Sequence, residues 1–261
     1  MSAGRAVIAV FTGFAAGMLS GLFGVGGGSI MTPALSVFLG LSPLVALTTP
    51  LPVILPTAAV GANNYRLAGM IDWRACRLAI GPGLVGAVFG AMGAEWIGHA
   101  GASHALLLIT ALIVGWESVR VIRDRSEPDD IAPATPWWAY SLTGLAAGLA
   151  SGALGVGGGI VMVPVFTAVL GMPLKKALGT SLCVMVPMVI PGTIVHSIYG
   201  NIDWAIAAVM VVGLVPGAAI GSRIAIATAD RRLRTMVGSF LLAVAIDYGT
   251  LEIAHIAGWK S

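Results

Sequence analysis

Long apolar runs dominate the chain: stretches of roughly 18 or more residues, enough to cross about 30 Å of hydrocarbon as helix, recur from end to end with only short polar gaps between them. The pattern predicts five segments in each half: 6–23, 29–40, 43–63, 76–97 and 103–122, then 137–154, 160–171, 174–196, 204–222 and 235–256. The second of each set has only about a dozen residues, roughly 18 Å of helix, too short to cross. It is expected to be a half-helix that returns from a break and pairs with the helix before it as a hairpin. Non-helical backbone at membrane depth is tolerated only where protein covers it or where it lines a cavity.

The break is written in glycine. Gly24-Val25-Gly26-Gly27-Gly28 interrupts the first apolar run and returns intact, 131 positions later, as Gly155-Val156-Gly157-Gly158-Gly159. Glycine inside a helix costs about 1 kcal/mol against alanine, so four in five positions argue for an interruption. The same offset carries Gly13, Gly17, Ser20 and Gly21 onto Gly144, Gly148, Ser151 and Gly152, and Pro33 onto Pro164. It also carries Thr49 onto Thr180, Pro56 onto Pro187, and Ile71-Asp72-Trp73 onto Ile202-Asp203-Trp204. About a third of the matched positions are identical, too many for shared apolar composition alone, so the chain is a duplicated unit. The expected fold class is an all-α polytopic membrane protein of two homologous, inverted repeats, each a Gly-broken helical hairpin plus three spans.

Charge argues for the inversion. The connection 64–77 carries Arg66, Arg74 and Arg77, while its counterpart 195–208 has no Lys or Arg; Ser42-Pro43-Leu44-Val45 is neutral, while Pro173-Leu174-Lys175-Lys176 is basic. Equivalent loops of opposite character belong on opposite sides. Placing those basic loops, the region of Arg120, Arg123 and Arg125, and Arg223–Arg234 in the cytoplasm leaves only Arg5 and Lys260 outside. That satisfies the positive-inside rule, and both termini then face out. A count of four segments per unit would give parallel repeats and put a basic loop on the wrong side. The expected domains are 1–122, a first repeat; 123–136, a short, charged, proline-rich cytoplasmic linker; and 137–261, a second repeat.

Composition agrees: 57% of the 261 residues are hydrophobic and 10% charged, against about 25% charged in soluble domains. The net charge of +3 reflects orientation rather than a nucleic-acid partner. Cys76 and Cys183 form no Cys-x-x-Cys and no Cys/His cluster, so neither a metal site nor a thiol-redox carrier is indicated, and they read as packing residues. Residues 6–23 resemble a secretory h-region, but the pattern recurs at 137–154, so the segment is expected to be kept.

The glycine break is no nucleotide loop, since neither copy ends in Gly-Lys-Ser/Thr. It does offer backbone amides at the start of a half-helix, where partial positive charge gathers and an anion can bind. Gly26, Gly27, Gly28, Gly157, Gly158 and Gly159 are therefore expected to line the substrate site. Gly13, Gly17 and Gly21, with Gly144, Gly148 and Gly152, recur every four residues and read as helix packing. Ser20 and Ser151 precede the breaks, and the third segments hold Thr49, Thr180, Ser181, Asn63, Asn64 and His196. Polar groups in apolar spans either line a path or bond back to the helix, and these are carried as substrate-binding candidates alongside that packing alternative. Asp72 and Asp203 read as helix caps and Trp73 and Trp204 as interfacial anchors. Asp247, in the last apolar run, is a candidate for proton coupling. No catalytic constellation, cofactor motif or metal-ligand spacing stands out, so an enzyme is not expected.

Two copies of Gly-x-x-x-Gly-x-x-Ser-Gly-x-x-Gly-Val-Gly-Gly-Gly-x-x-x-x-Pro, each followed by an Ile-Asp-Trp loop, resemble the TauE/SafE family of membrane transporters, the sulfite exporters. The resemblance covers essentially the whole chain. It implies export of sulfite, sulfonates or related sulfur-containing anions across the bacterial inner membrane, with both glycine breaks in the path. The implied partners are that anion and the lipid bilayer, with a homodimer left open. A passive anion channel and a non-transporting membrane scaffold are the alternatives.

Overall fold

The computed structural model describes residues 3–99 and 136–239, with 242, 243 and 246. Those residues are helical, with no strand among them. The first copy gives α1 Ala3–Phe23, α2 Gly28–Leu39, α3 Pro43–Thr48, α4 Pro50–Leu67 and α5 Trp73–His99. The second gives α6 Trp137–Leu154, α7 Gly159–Pro164, α8 Leu174–Ile198 and α9 Trp204–Ala227, and residues 230–239 are also helical. A π-turn over Val165–Val169 extends α7. Among the described residues five stretches, Ala6–Phe23, Leu44–Leu67, Trp73–Trp96, Leu174–Ile198 and Trp204–Ala227, are long and apolar enough to cross a membrane. The chain is an all-α polytopic membrane protein. The expected segment 103–122, nearly all of the linker, most of 235–256, and Asp247 lie outside the described residues.

Local chemistry explains why the copies fold alike. Asp72 Oδ1 accepts from the amides of Arg74 and Ala75 at 2.9 and 3.0 Å, and Asp203 Oδ1 from that of Ile206 at 3.0 Å. Both Ile-Asp-Trp loops thus open a helix with a cap worth about 1 kcal/mol. α4 and α8 also end alike. Gly69 and Gly200 take left-handed φ of 72°, and the amides of Met70 and Asn201 reach back to Tyr65 O and His196 O at 2.9 and 3.0 Å. This Schellman closure reverses the chain. The copies differ at proline: Pro50 has no amide to give its helix, and the first copy divides into α3 and α4 at Thr49, whereas Ser181 in the matching place lets α8 run on.

The tightest packing joins one copy to the other. Gly13, Gly17 and Gly21 of α1 meet the backbone of Met210, Leu214 and Ala218 of α9, and Gly144, Gly148 and Gly152 of α6 meet Ala79, Gly83 and Ala87 of α5. Numbers rise together in both pairs, so α1 runs parallel to α9 and α6 to α5. The ends of α4 and α9 also coincide. Thr49 Oγ1 accepts from the Asp203 amide at 3.1 Å, and Asn64 Nδ2 donates to Ser222 Oγ at 2.8 Å. In the same way Thr180 Oγ1 accepts from the Asp72 amide at 2.9 Å at the start of α8, and Asn201, just past its end, donates to Glu95 Oε2 of α5 at 2.6 Å. Since the chain reverses between α4 and α5, α1, α4 and α9 run one way and α5, α6 and α8 the other.

These contacts also sort the charge. Lys175 Nζ bonds Ile226 O and pairs with Asp230 Oδ1, each at 3.1 Å. With Asn64 on Ser222 and Asp72 on Thr180, this gathers Arg66, Arg74, Arg77, Lys175, Lys176 and Arg223 at one end of the bundle. The opposite end holds Thr49, Glu95, Asn201 and Asp203.

Candidate functional site at the paired glycine breaks

Each break needs glycine because its backbone enters the left-handed region: φ is 68°, 86° and 74° at Gly24, Gly26 and Gly27, and 65°, 79° and 79° at Gly155, Gly157 and Gly158. Residues with a Cβ visit that region at a cost of about 1–2 kcal/mol each. The absence of side chains also lets the breaks touch. A Cβ on Gly28 would lie 2.4 Å from Gly155 O, and one on Gly159 would lie 2.3 Å from Gly24 O. Gly26 and Gly157 share one centre: a Cβ on either would come within 3.0 Å of Met185 Sδ and close to Ile54. Ile54 of α4 and Met185 of α8 are matching positions in the two copies, so the four residues meet as two equivalent pairs.

Polar groups accompany the two breaks unequally. The hydroxyls of Ser20, Ser29 and Ser151 are fully buried and have no hydrogen-bond partner. Ser20 Cβ packs under Gly27. Ser29 was not nominated from sequence; its signal was a hydroxyl in the first turn of a half-helix that opens on glycine. His196 is buried, with Nε2 2.9 Å from Gly152 O and Nδ1 without a partner. In the first copy Tyr65 takes its place, donating to Gly21 O at 3.3 Å. Each long central helix thus holds the carbonyl three residues ahead of a break. Ser181 Oγ donates to Gly24 O at 2.9 Å, which fixes the first break from the second copy.

Other candidates have structural partners. Thr49 and Thr180 hold the Ile-Asp-Trp loops, Asn64 holds Ser222 of α9, and exposed Asn63 accepts from Arg66 at 2.9 Å. These bonds tie the helices around the breaks to their neighbours. A separate groove of about 580 Å³ is lined by Ala6, Val7, Phe11, Phe14, Val212 and Pro216. It is apolar on the exposed outer side of α1 and α9, where an anion would lose its hydration without gaining a partner.

The first turn of α2 presents amides with no acceptor inside the helix, at the positive end of its dipole. The partnerless hydroxyl of Ser29 stands in that turn, and Ser20, also partnerless, packs under Gly27. The family described as Sulfite exporter TauE/SafE matches residues 9–248. The chain belongs to the TauE/SafE family. It is also 26% identical over 247 residues to a "Probable membrane transporter protein" of Xylella fastidiosa strain 9a5c, covering 92% of this chain and 93% of that one. Bacillus subtilis YunE, bearing the same description, is 26% identical over 266 residues, covering 92% and 94%. A Haemophilus influenzae relative is 29% identical over 182 residues, covering 67% of each. No solved structure matches. As a TauE/SafE member, the chain is a multi-pass membrane transporter.

Proposed function

We propose that this TauE/SafE protein exports a small sulfur-containing oxyanion, such as sulfite or a sulfonate, across the bacterial inner membrane by alternating access around the paired breaks. The observation that carries the reading is the contact of Gly26–Gly28 with Gly155–Gly159 beside the partnerless hydroxyls of Ser20 and Ser29, with Ser151 partnerless at the matching position of the second copy. Amides and hydroxyls can replace the hydration of an oxyanion without a fixed cation, which leaves the anion free to depart.

The two copies are inverted repeats in this reading. Support comes from chain direction, since α1 and α6 fall in opposite sets, and from the basic cluster at one end, which becomes the cytoplasmic face under the positive-inside rule. Both termini then lie outside. The membrane potential favours anion export by about 2.3 kcal/mol per charge at 100 mV.

The moving bodies are not the sequence halves. α1 lies backbone to backbone on α9, and α6 on α5, so each rigid unit takes one helix from each copy. These units shift about the central α4 and α8, which carry Ile54 and Met185.

The test is flux of labelled sulfite into proteoliposomes, competed by sulfate, thiosulfate and small sulfonates. A carrier shows acceleration by anion on the far side, and Ser20→Ala with Ser151→Ala lowers flux at least tenfold without loss of folded protein. Currents without counterflow would make the protein a channel, and no flux of any anion would refute transport of this class.

A further inference from the structure

The sequence separates Cys76 and Cys183 by more than a hundred positions, yet the fold brings them together. Cys76 lies in the first turns of α5, where its Sγ donates to Thr180 O of α8 at 3.9 Å. Cys183 stands one helical turn beyond Thr180, on the same face of α8, so the helix spacing sets it beside the Cys76 thiol that rests on the Thr180 carbonyl. They are the chain's two cysteines and both are reduced in the structure. Cys76 is buried and Cys183 partly exposed.

We propose that Cys76 and Cys183 are an oxidisable pair whose disulfide staples α5 to α8 and stops transport. A hydroperoxide is the oxidant. The thiolate of one cysteine attacks its O–O bond and releases an alcohol, leaving a sulfenic acid. The second thiol then displaces water to form the S–S bond. Both sulfurs are oxidised by one electron each, and the peroxide is reduced by two. Partly exposed Cys183 makes the first attack, and its neighbour is placed to resolve it.

Position gives the bond its consequence. Cys76 stands in the first turn of α5, at the end that carries Arg74, Arg77, Lys175 and Lys176, the face assigned to the reducing cytoplasm, where thiols stay free until an oxidant appears. The link joins the α5/α6 unit to a central helix, so this consequence rests on the proposed movement of those units.

Purified protein is treated with tert-butyl hydroperoxide, and free thiols are counted with a maleimide before and after dithiothreitol. Expected is a monomer that loses both thiols and 2 Da in mass, with anion flux lowered at least tenfold and restored by dithiothreitol. Cys183→Ser keeps its basal flux and becomes insensitive to the same treatment. Thiols that persist through oxidant, or that appear only as linked dimers, overturn the pairing whatever the flux. A complete internal disulfide with unchanged flux overturns the lock. Reduced protein that carries no anion while still forming the disulfide refutes the transport reading and the lock, with the pairing intact.

Discussion

Gly17→Ala tests the interlocked packing most directly. The added Cβ would lie 2.1 Å from Leu214 O and 2.8 Å from Leu214 C and Cα. A carbon and a carbonyl oxygen approach no closer than about 3.3 Å. The shortfall is about 1.2 Å, and the obstacle is backbone, which cannot rotate aside as a side chain can. α1 and α9 must therefore part by about 1 Å, a gap that forfeits a quarter to a half of the dispersion well for the atoms along the seam. Overpacking of this kind costs about 1–3 kcal/mol, against which alanine returns about 1 kcal/mol of helix propensity. Net destabilisation of up to about 2 kcal/mol is expected. Gly81→Ala, with nothing within 4 Å of the new Cβ, keeps only the propensity gain and becomes the matched control. Unfolding by SDS in mixed micelles, followed by tryptophan fluorescence, reads the difference. Equal midpoints for the two variants would refute the parallel, backbone-to-backbone contact of α1 with α9, and with it the rigid units.

Three further outcomes follow. Gly157→Ala forces a left-handed φ of 79° on a Cβ that presses on the flexible Met185 and Ile54, so the protein folds, weakened by about 1–2 kcal/mol, while anion flux in proteoliposomes falls at least tenfold. Asp203→Ala removes the bond to the Ile206 amide at 3.0 Å and costs about 1 kcal/mol in the same unfolding titration, with flux largely kept. Asp247→Asn alters both the rate and the pH dependence of flux if that carboxyl couples protons; an unchanged profile would remove it from the mechanism.

Much of this was readable because it is local or periodic. The Gly-Val-Gly-Gly-Gly stretches announced a backbone that only glycine tolerates, and the breaks fall where the stretches stand. Asp72 and Asp203 cap the next helices because an aspartate ahead of an apolar run has few other uses. The four-residue glycine spacing marked a packing face without saying what it packs against. Thr49 and Thr180 show the other side. A hydroxyl in an apolar span has equal reason to line a path or to hold a neighbouring loop, and its hydrogen bond to a loop of the other copy depends on contacts more than a hundred residues apart. Ser29 escaped notice because serine is ordinary in a first turn; burial without a partner is what sets it apart.

By itself, the sequence determined the all-helical character, the membrane-crossing lengths and the positions of the breaks, since each follows from short-range patterns of hydrophobicity and backbone freedom. Tertiary structure decided which helix of one copy lies on which of the other, that Gly26 and Gly157 face one Ile54–Met185 centre, and that Cys76 rests on the Thr180 carbonyl, one turn from Cys183. Those facts depend on how two equivalent sets of helices cross, and helix faces of nearly uniform apolar character carry too little chemical contrast to specify the crossing in advance.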